Sequence, residues 1–88
     1  MSETTAGVRE DMRAYIEENF LYLHPGVELK DHDEFLTLGI VDSLGFVELV
    51  EQVQSRYGVT VEDVDITEDN FGSIDAITGY VERKRTAA

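Results

Sequence analysis

The sequence predicts an all-α fold: a small four-helix bundle with three longer helices, one short helix and a long first loop. Three observations predict it. Apolar residues recur at three- and four-residue steps in three separate stretches, which is the spacing of one helix face. Val59-Thr60-Val61 could be read as a short β-branched strand, but no partner strand is in sight, so a loop is expected there. The chain has 88 residues, enough for one domain with a modest core.

Residues 1–7 carry Ser, Thr and Gly without periodicity and read as a frayed end. The domain is expected over residues 8–85. Its first helix starts at Val8, with Met12, Tyr15, Ile16, Phe20 and Leu23 on its apolar face and Arg9, Glu10, Asp11, Arg13, Glu17 and Glu18 between them. That makes an amphipathic helix of roughly four turns. His24-Pro25-Gly26 ends it, because proline pushes the residue before it out of the helical region.

Residues 26–41 form the long connection. Val27, Leu29, Phe35, Leu36, Leu38 and Ile40 stud it, so it should lie across the bundle with these side chains pinned inward, with a single helical turn near Asp33-Glu34-Phe35. A long ordered loop in so small a domain is often functional. The second long helix should run from Ser43 to about Tyr57, with Gly58 as its C-cap. At ~100° per residue, Phe46, Leu49, Val50, Val53 and Tyr57 share the core side. Leu44, Val47, Glu48, Glu51 and Ser55 fall largely on the other side. Thr67 can cap a short helix through Phe71, which Gly72 breaks. Ser73 can cap a last helix with Ile74, Ile77, Tyr80 and Val81 inward. Glu82-Arg83-Lys84-Arg85 closes it with cations near the C-terminus, as the helix dipole prefers. Residues 86–88 read as a flexible end.

Composition removes several function classes. There is no cysteine, so no disulfide framework, no thiolate metal site and no cysteine nucleophile. A thiol-dependent function would need a borrowed thiol. Met1-Ser2-Glu3-Thr4-Thr5 has neither a basic start nor an apolar run after it, so no secretory leader is expected and the cytoplasm is the default location. No stretch is long and apolar enough to span a membrane. Nineteen acids against seven bases give a formal net charge of −12. Such a surface repels nucleic acid and anionic membrane and attracts basic protein surfaces. Acidic charge also simply keeps small domains soluble.

Leu38-Gly39-Ile40-Val41-Asp42-Ser43-Leu44 places a serine hydroxyl at the positive end of a helix dipole with a carboxylate beside it. Asp and Ser are also the ordinary N-cap residues, so on spacing alone an attachment point and a mere cap stand side by side. A nucleophilic serine would need a base and an oxyanion hole. His24 and His32 are the only histidines, and no Gly-x-Ser-x-Gly elbow exists. Asp63-Val64-Asp65-Ile66-Thr67-Glu68 begins like a calcium loop, but Glu68 stands where glycine is needed and Ile74 where glutamate is needed. No metal site is expected.

The run from Leu38 to Leu44 resembles the phosphopantetheine attachment site of acyl carrier proteins: leucine-glycine, a short spacer, then Asp-Ser-Leu. The resemblance extends over about residues 8–84. Phe35-Leu36 is similar to the apolar pair before the attachment loop. Val47-Glu48-Leu49-Val50 is similar to the family's second helix, and Asp69-Asn70-Phe71 through Val81 to its last two helices. Gly45 after the leucine, Tyr57-Gly58-Val59 and Glu68-Asp69-Asn70-Phe71 resemble freestanding D-alanyl, aminoacyl and peptidyl-type carriers. Gln54, Ser55 and Arg56 depart from the glutamates of fatty-acid carriers.

The resemblance implies an acyl-carrier-like bundle with 4′-phosphopantetheine attached covalently at Ser43, and a carrier rather than an enzyme. It implies that Asp42 supports the attachment, as a ligand for the metal used by the phosphopantetheinyl transferase. Leu44, Val47, Glu48 and Glu51 would dock partners: that transferase, a ligase or acyltransferase with a basic groove that loads an acyl or aminoacyl thioester, and a downstream synthase or transferase. The expected setting is a polyketide- or nonribosomal-type pathway, with D-alanyl transfer to teichoic acid as the close alternative, and the carrier is expected to be a monomer. An acidic helical interaction module without a prosthetic group is the competing class, and a small hydrolase the third.

Overall fold

The computed structural model describes residues 5–87. Five α-helices follow in order: α1 (Thr5–Asn19), α2 (Phe35–Leu38), α3 (Ser43–Tyr57), α4 (Glu68–Phe71) and α5 (Ile74–Ala87). Leu21–Leu23 and Asp63–Asp65 add single 3-10 turns, and no strand occurs among the described residues. The expected all-α bundle with three long helices is therefore what the chain builds. Residues 1–4 and 88 of the two expected flexible ends lie outside the described residues. Thr5 to Gly7 belong to α1, and α5 continues through Thr86 and Ala87, so regular helix exceeds the expected 8–85 at both ends.

Each long helix forms because its apolar residues share one face and bury together. Val8, Met12 and Ile16 of α1, Leu49, Val50 and Val53 of α3, and Ile74, Ile77, Tyr80 and Val81 of α5 are all buried. Each fully buried large side chain is worth about 1.5–3 kcal/mol, more than a typical cap or surface pair supplies. The three faces therefore decide the fold. Helix α1 packs against α5, and the short α4 packs against both α5 and α3. Phe71 supplies α4's buried anchor, its ring tilted on Tyr80 at 4.8 Å. Tyr80 Oη in turn donates to Asp65 Oδ2 at 2.8 Å, and burial first, then this bond, pushes the phenol up to about 12.

The long connection is held down at several points. Arg13 donates to the Leu29 carbonyl at 2.9 Å and to the Asp31 carboxylate. Arg9 bridges Asp31, at 3.0 Å, and Asp75 at the start of α5. The Asp75 N–H donates to the Asp31 carbonyl at 2.9 Å, and the Phe35 N–H to the Gly72 carbonyl at 2.8 Å. Leu29, Phe35, Ile40 and Val41 are buried as this anchoring requires, and Leu36 is half-buried. The expected turn near Phe35 is α2, with Glu34 at its N-cap position but without a side-chain capping bond. Beyond α3, Gly58 is the C-cap. Val59-Thr60-Val61 is a loop, and Gln54 Oε1 accepts the Val61 N–H at 2.9 Å in place of a partner strand.

Three apolar residues expected inward are exposed. Helix α1 ends at Asn19, and the chain continues through a 3-10 turn. The change of pitch rotates Tyr22 and Leu23 out to solvent, so Leu23 does not extend the α1 core face. Val27 follows the Gly26 turn and is exposed, and Leu38, at the end of the single turn of α2, faces solvent near α3.

Candidate functional site

The start of α3 is set by what precedes it. Gly39 has φ 75°, a left-handed conformation that side chains disfavour, and it turns the chain so that Ile40 and Val41 insert into the core. Asp42 then stands extended as the N-cap. Its Oδ1 accepts the Gly45 N–H at 2.8 Å, and its carbonyl accepts the Phe46 N–H, also at 2.8 Å. The capping role belongs to Asp42 and not to Ser43.

Ser43 is the first residue of α3 and is exposed. No hydrogen bond among the described residues engages its hydroxyl. Its own N–H and that of Leu44 precede the first intrahelical bond and have no carbonyl within the helix to bond. The arrangement offers a free hydroxyl, two unspent N–H donors and the positive end of a 15-residue helix at one place. That donor set suits a phosphate diester on the serine oxygen.

The outward face of α3 is as the wheel placed it. Leu44 is 69% exposed and Val47 48%, and Glu48 and Glu51 are exposed beside them. On the inward side Phe46, Leu49, Val50 and Val53 are buried, with Tyr57 half-buried. Tyr57 Oη donates to Asp11 Oδ2 at 2.7 Å, and Arg56 reaches Asp11 Oδ1 at 3.0 Å. Burial above all, reinforced by Asp11, drives the Tyr57 phenol well above its ordinary range. These contacts fix the far end of α3 to α1, so the first turn is presented from a rigid support.

Beside Ser43 lies an open groove of about 340 Å³ that sequence reading did not single out. Phe20, Leu23, Ile40 and Leu44 supply its apolar lining, and Asn19 and Glu48 its polar lining. His24, Gly39, Asp42 and Gly45 complete it. Its two sides come from the end of α1 with the following turn and from the start of α3. They approach closely because residue 45 is glycine: a Cβ there would meet Phe20 Cε1 at 2.9 Å and Asp42 Oδ1 at 3.2 Å. Phe20 is itself braced edge-on against Tyr15, at 6.0 Å between ring centres. Gly45, directly after the exposed leucine, was the one local signal of this close approach.

The family description "phosphopantetheine attachment site" matches residues 13–81. The chain belongs to this family of phosphopantetheine-binding carriers. It is similar to two D-alanyl carrier proteins of Streptococcus suis. One, from strain 05ZYH33, is 33% identical over 76 residues, covering 85% of this chain and 92% of the relative. The other, from strain 98HAH33, is 32% identical over the same shares. The protein is thus a carrier and not a catalyst, its prosthetic group is covalently attached 4′-phosphopantetheine, and it works with a phosphopantetheinyl transferase and with loading and transfer enzymes. No helix among the described residues is long and apolar enough to cross a membrane.

Proposed function

We propose that Ser43 is the residue that bears the phosphopantetheine arm and that the chain shuttles an acyl or aminoacyl thioester between enzymes. One observation carries the assignment of the residue: Asp42 takes the cap and leaves the Ser43 hydroxyl exposed and unengaged at the start of α3. The arm supplies the thiol that the chain, without cysteine, lacks. The unspent N–H groups of Ser43 and Leu44 favour the phosphodiester charge there. Asp42, spending one carboxylate oxygen on Gly45, keeps the other for the metal of the transferase, a role that the family resemblance suggests.

Leu44, Val47, Glu48 and Glu51 form the docking face. An exposed apolar pair ringed by carboxylates fits a basic groove, and charge of this kind speeds encounter more than it tightens the complex. Weak, fast docking suits a shuttle that must leave each enzyme. The setting we assign is a polyketide- or nonribosomal-type pathway in the cytoplasm. A second reading, D-alanyl transfer, rests on the names of the two streptococcal relatives.

Intact-mass measurement after incubation with coenzyme A and a broad-specificity phosphopantetheinyl transferase tests the core of the reading. The expected result is one phosphopantetheine of added mass on the wild type and none on Ser43→Ala. No addition to the wild type, or addition that survives the substitution, overturns the assignment. Loading the arm with a panel of adenylating ligases then separates D-alanine from other payloads.

A further inference from the structure

Leu44 has an exposed apolar counterpart across the groove. Where α1 gives way to the 3-10 turn at Leu21–Leu23, Tyr22 is 66% exposed and Leu23 63%. Large apolar side chains left in solvent at adjacent positions gain no packing within the chain. The turn that carries them is ordered. The Leu23 N–H donates to the Phe20 carbonyl at 3.2 Å, the His24 N–H to the Leu21 carbonyl at 2.8 Å and the Val27 N–H to the His24 carbonyl at 3.1 Å. Tyr22 and Leu23 are therefore held outward by a fixed backbone. The Tyr22 hydroxyl makes no hydrogen bond among the described residues.

Leu23 and Leu44 both line the groove, so exposed apolar surface continues from Val47 and Leu44 over it to Leu23 and Tyr22. Asp42 and Leu44 line it as well, which puts Ser43 at its margin. The charge along this second wall has one sign. Between Arg13 and Lys30 the chain has no lysine or arginine, whereas Glu17, Glu18 and Glu28 are exposed. Its complement is an apolar surface with a basic rim, the same chemistry that suits the exposed side of α3.

The chemistry at Ser43 selects the partner. Enzymes that load or unload the arm act at its far end, on the thiol. The phosphopantetheinyl transferase acts at the serine oxygen itself. That oxygen bonds to the phosphorus that bears the pantetheine, and the bond from this phosphorus to the nucleotide part of coenzyme A breaks. Adenosine bisphosphate leaves, and the serine proton passes to a base of the transferase. Reacting atoms must come within about 3–3.5 Å before the step, so the transferase closes on Ser43 and meets what flanks it on both sides of the groove. A specific interface of standard size engages about 20–30 residues a side, far more than the four on α3.

We propose that Tyr22 and Leu23 form a second docking wall for the phosphopantetheinyl transferase, which grips the chain on both sides of the groove. Apolar side chains of the transferase cover Tyr22 and Leu23, and its lysines or arginines lie toward Glu17, Glu18 and Glu28. The inference rests on the reading of Ser43 as the attachment residue. It makes the turn after α1, and not α3 alone, a determinant of which chains receive an arm.

Arm installation by a purified broad-specificity phosphopantetheinyl transferase at saturating coenzyme A, followed by intact mass, tests the proposal. Tyr22→Ser and Leu23→Ser are each expected to raise the KM for the unmodified chain about fivefold while kcat stays within about twofold of wild type. Val64 is the control: it is 82% exposed on the separate turn at Asp63–Asp65 and does not line the groove. Val64→Ser is expected to keep the wild-type KM. NMR on the unsubstituted chain gives a second reading that no variant can disturb. Isotope-labelled full-length protein titrated with the transferase, without coenzyme A, is expected to lose amide signal at Tyr22, Leu23 and Val27 together with Leu44 and Val47. A KM within about twofold of wild type in both groove-side variants, an equal rise in Val64→Ser, or signal changes confined to α3 overturns the proposal. A wild type that takes up no arm overturns the function proposed above, and the second wall with it.

Discussion

Phe20 lies so close to the bare Cα of Gly45 that a Cβ there would stand 2.9 Å from its ring. One missing methyl therefore sets how near the end of α1 comes to the start of α3. Gly45→Ala has two opposing effects. Alanine favours the helix by about 1 kcal/mol, while overpacking costs about 1–3 kcal/mol. Phe20 is braced by Tyr15 and Asp42 Oδ1 stands at 3.2 Å, so the overpacking prevails. The expected outcome is a net loss of about 1 kcal/mol in urea unfolding and slower arm installation, since the Asp42 cap is crowded as well. Gly45→Ala as stable as the wild type would show that Phe20 yields freely.

Asp42 is the N-cap of α3 and, in the function proposed above, a ligand for the transferase's metal, and substitution can separate the two. As the N-cap, it holds the first turn of α3 through Gly45. Asn caps as well as Asp does, whereas Ala costs about 1 kcal/mol. Asp42→Ala is therefore expected to lose that stability in thermal melts, and Asp42→Asn to keep it. If the carboxylate also serves the transferase's metal, both variants lose arm installation by an order of magnitude or more. An Asp42→Asn protein that is modified at the wild-type rate would reduce Asp42 to a cap.

What was legible from the sequence, and what was not, divides along local and non-local lines. The limits of α3 were legible because apolar periodicity, Asp42 at one end and Gly58 at the other agree. The exposure of Leu44 and Val47 followed from the same wheel. The end of α1 was not legible: Phe20 and Leu23 continue the helical spacing on paper. Pro25 forbids helix only at His24, and the chain leaves the helix earlier through a 3-10 turn. Leu38 and Val27 look like the buried Leu29 and Ile40 in sequence, and only tertiary packing separates them. The groove was invisible for the same reason, since Asn19 and Glu48 belong to different helices and line one groove only once Gly45 has let α1 approach.

Asp31 ties the long connection to two helices and makes the fold sensitive to acid. Its carboxyl is held below the ordinary range, by Arg13 first and then Arg9. A depressed carboxyl contributes stability that is present above its unfolded value, near 3.9, and is lost as pH falls through the folded value. The side chains involved are about one-third exposed (34% for Asp31), so solvent screens the pairs and the contribution is about 1 kcal/mol or less. Asp31→Asn is expected to lower the melting temperature at pH 7 by a few degrees and to match the wild type near pH 2. Added salt should narrow the difference at pH 7. A gap between the two proteins that persists unchanged to pH 2 would mean that the Asp31 side chain acts through packing or neutral hydrogen bonds instead.

The proposed docking face makes a prediction that stability measurements do not touch. Glu48 and Glu51 are exposed and enter no ion pair among the described residues, so reversing their charge costs little in folding. It does change the field that a basic partner meets. Glu48→Lys and Glu51→Lys are each expected to leave the melting temperature within about two degrees of wild type. Each should slow loading by the cognate ligase several-fold at low salt, chiefly by slowing association. Val47→Ala removes apolar contact instead and should weaken loading with little dependence on salt. Stopped-flow association at two ionic strengths distinguishes the two effects. If the charge reversals slow loading equally at 20 mM and 500 mM salt, the carboxylates act by contact and not by field. If they leave it unchanged at both, the partner reads another face of the carrier.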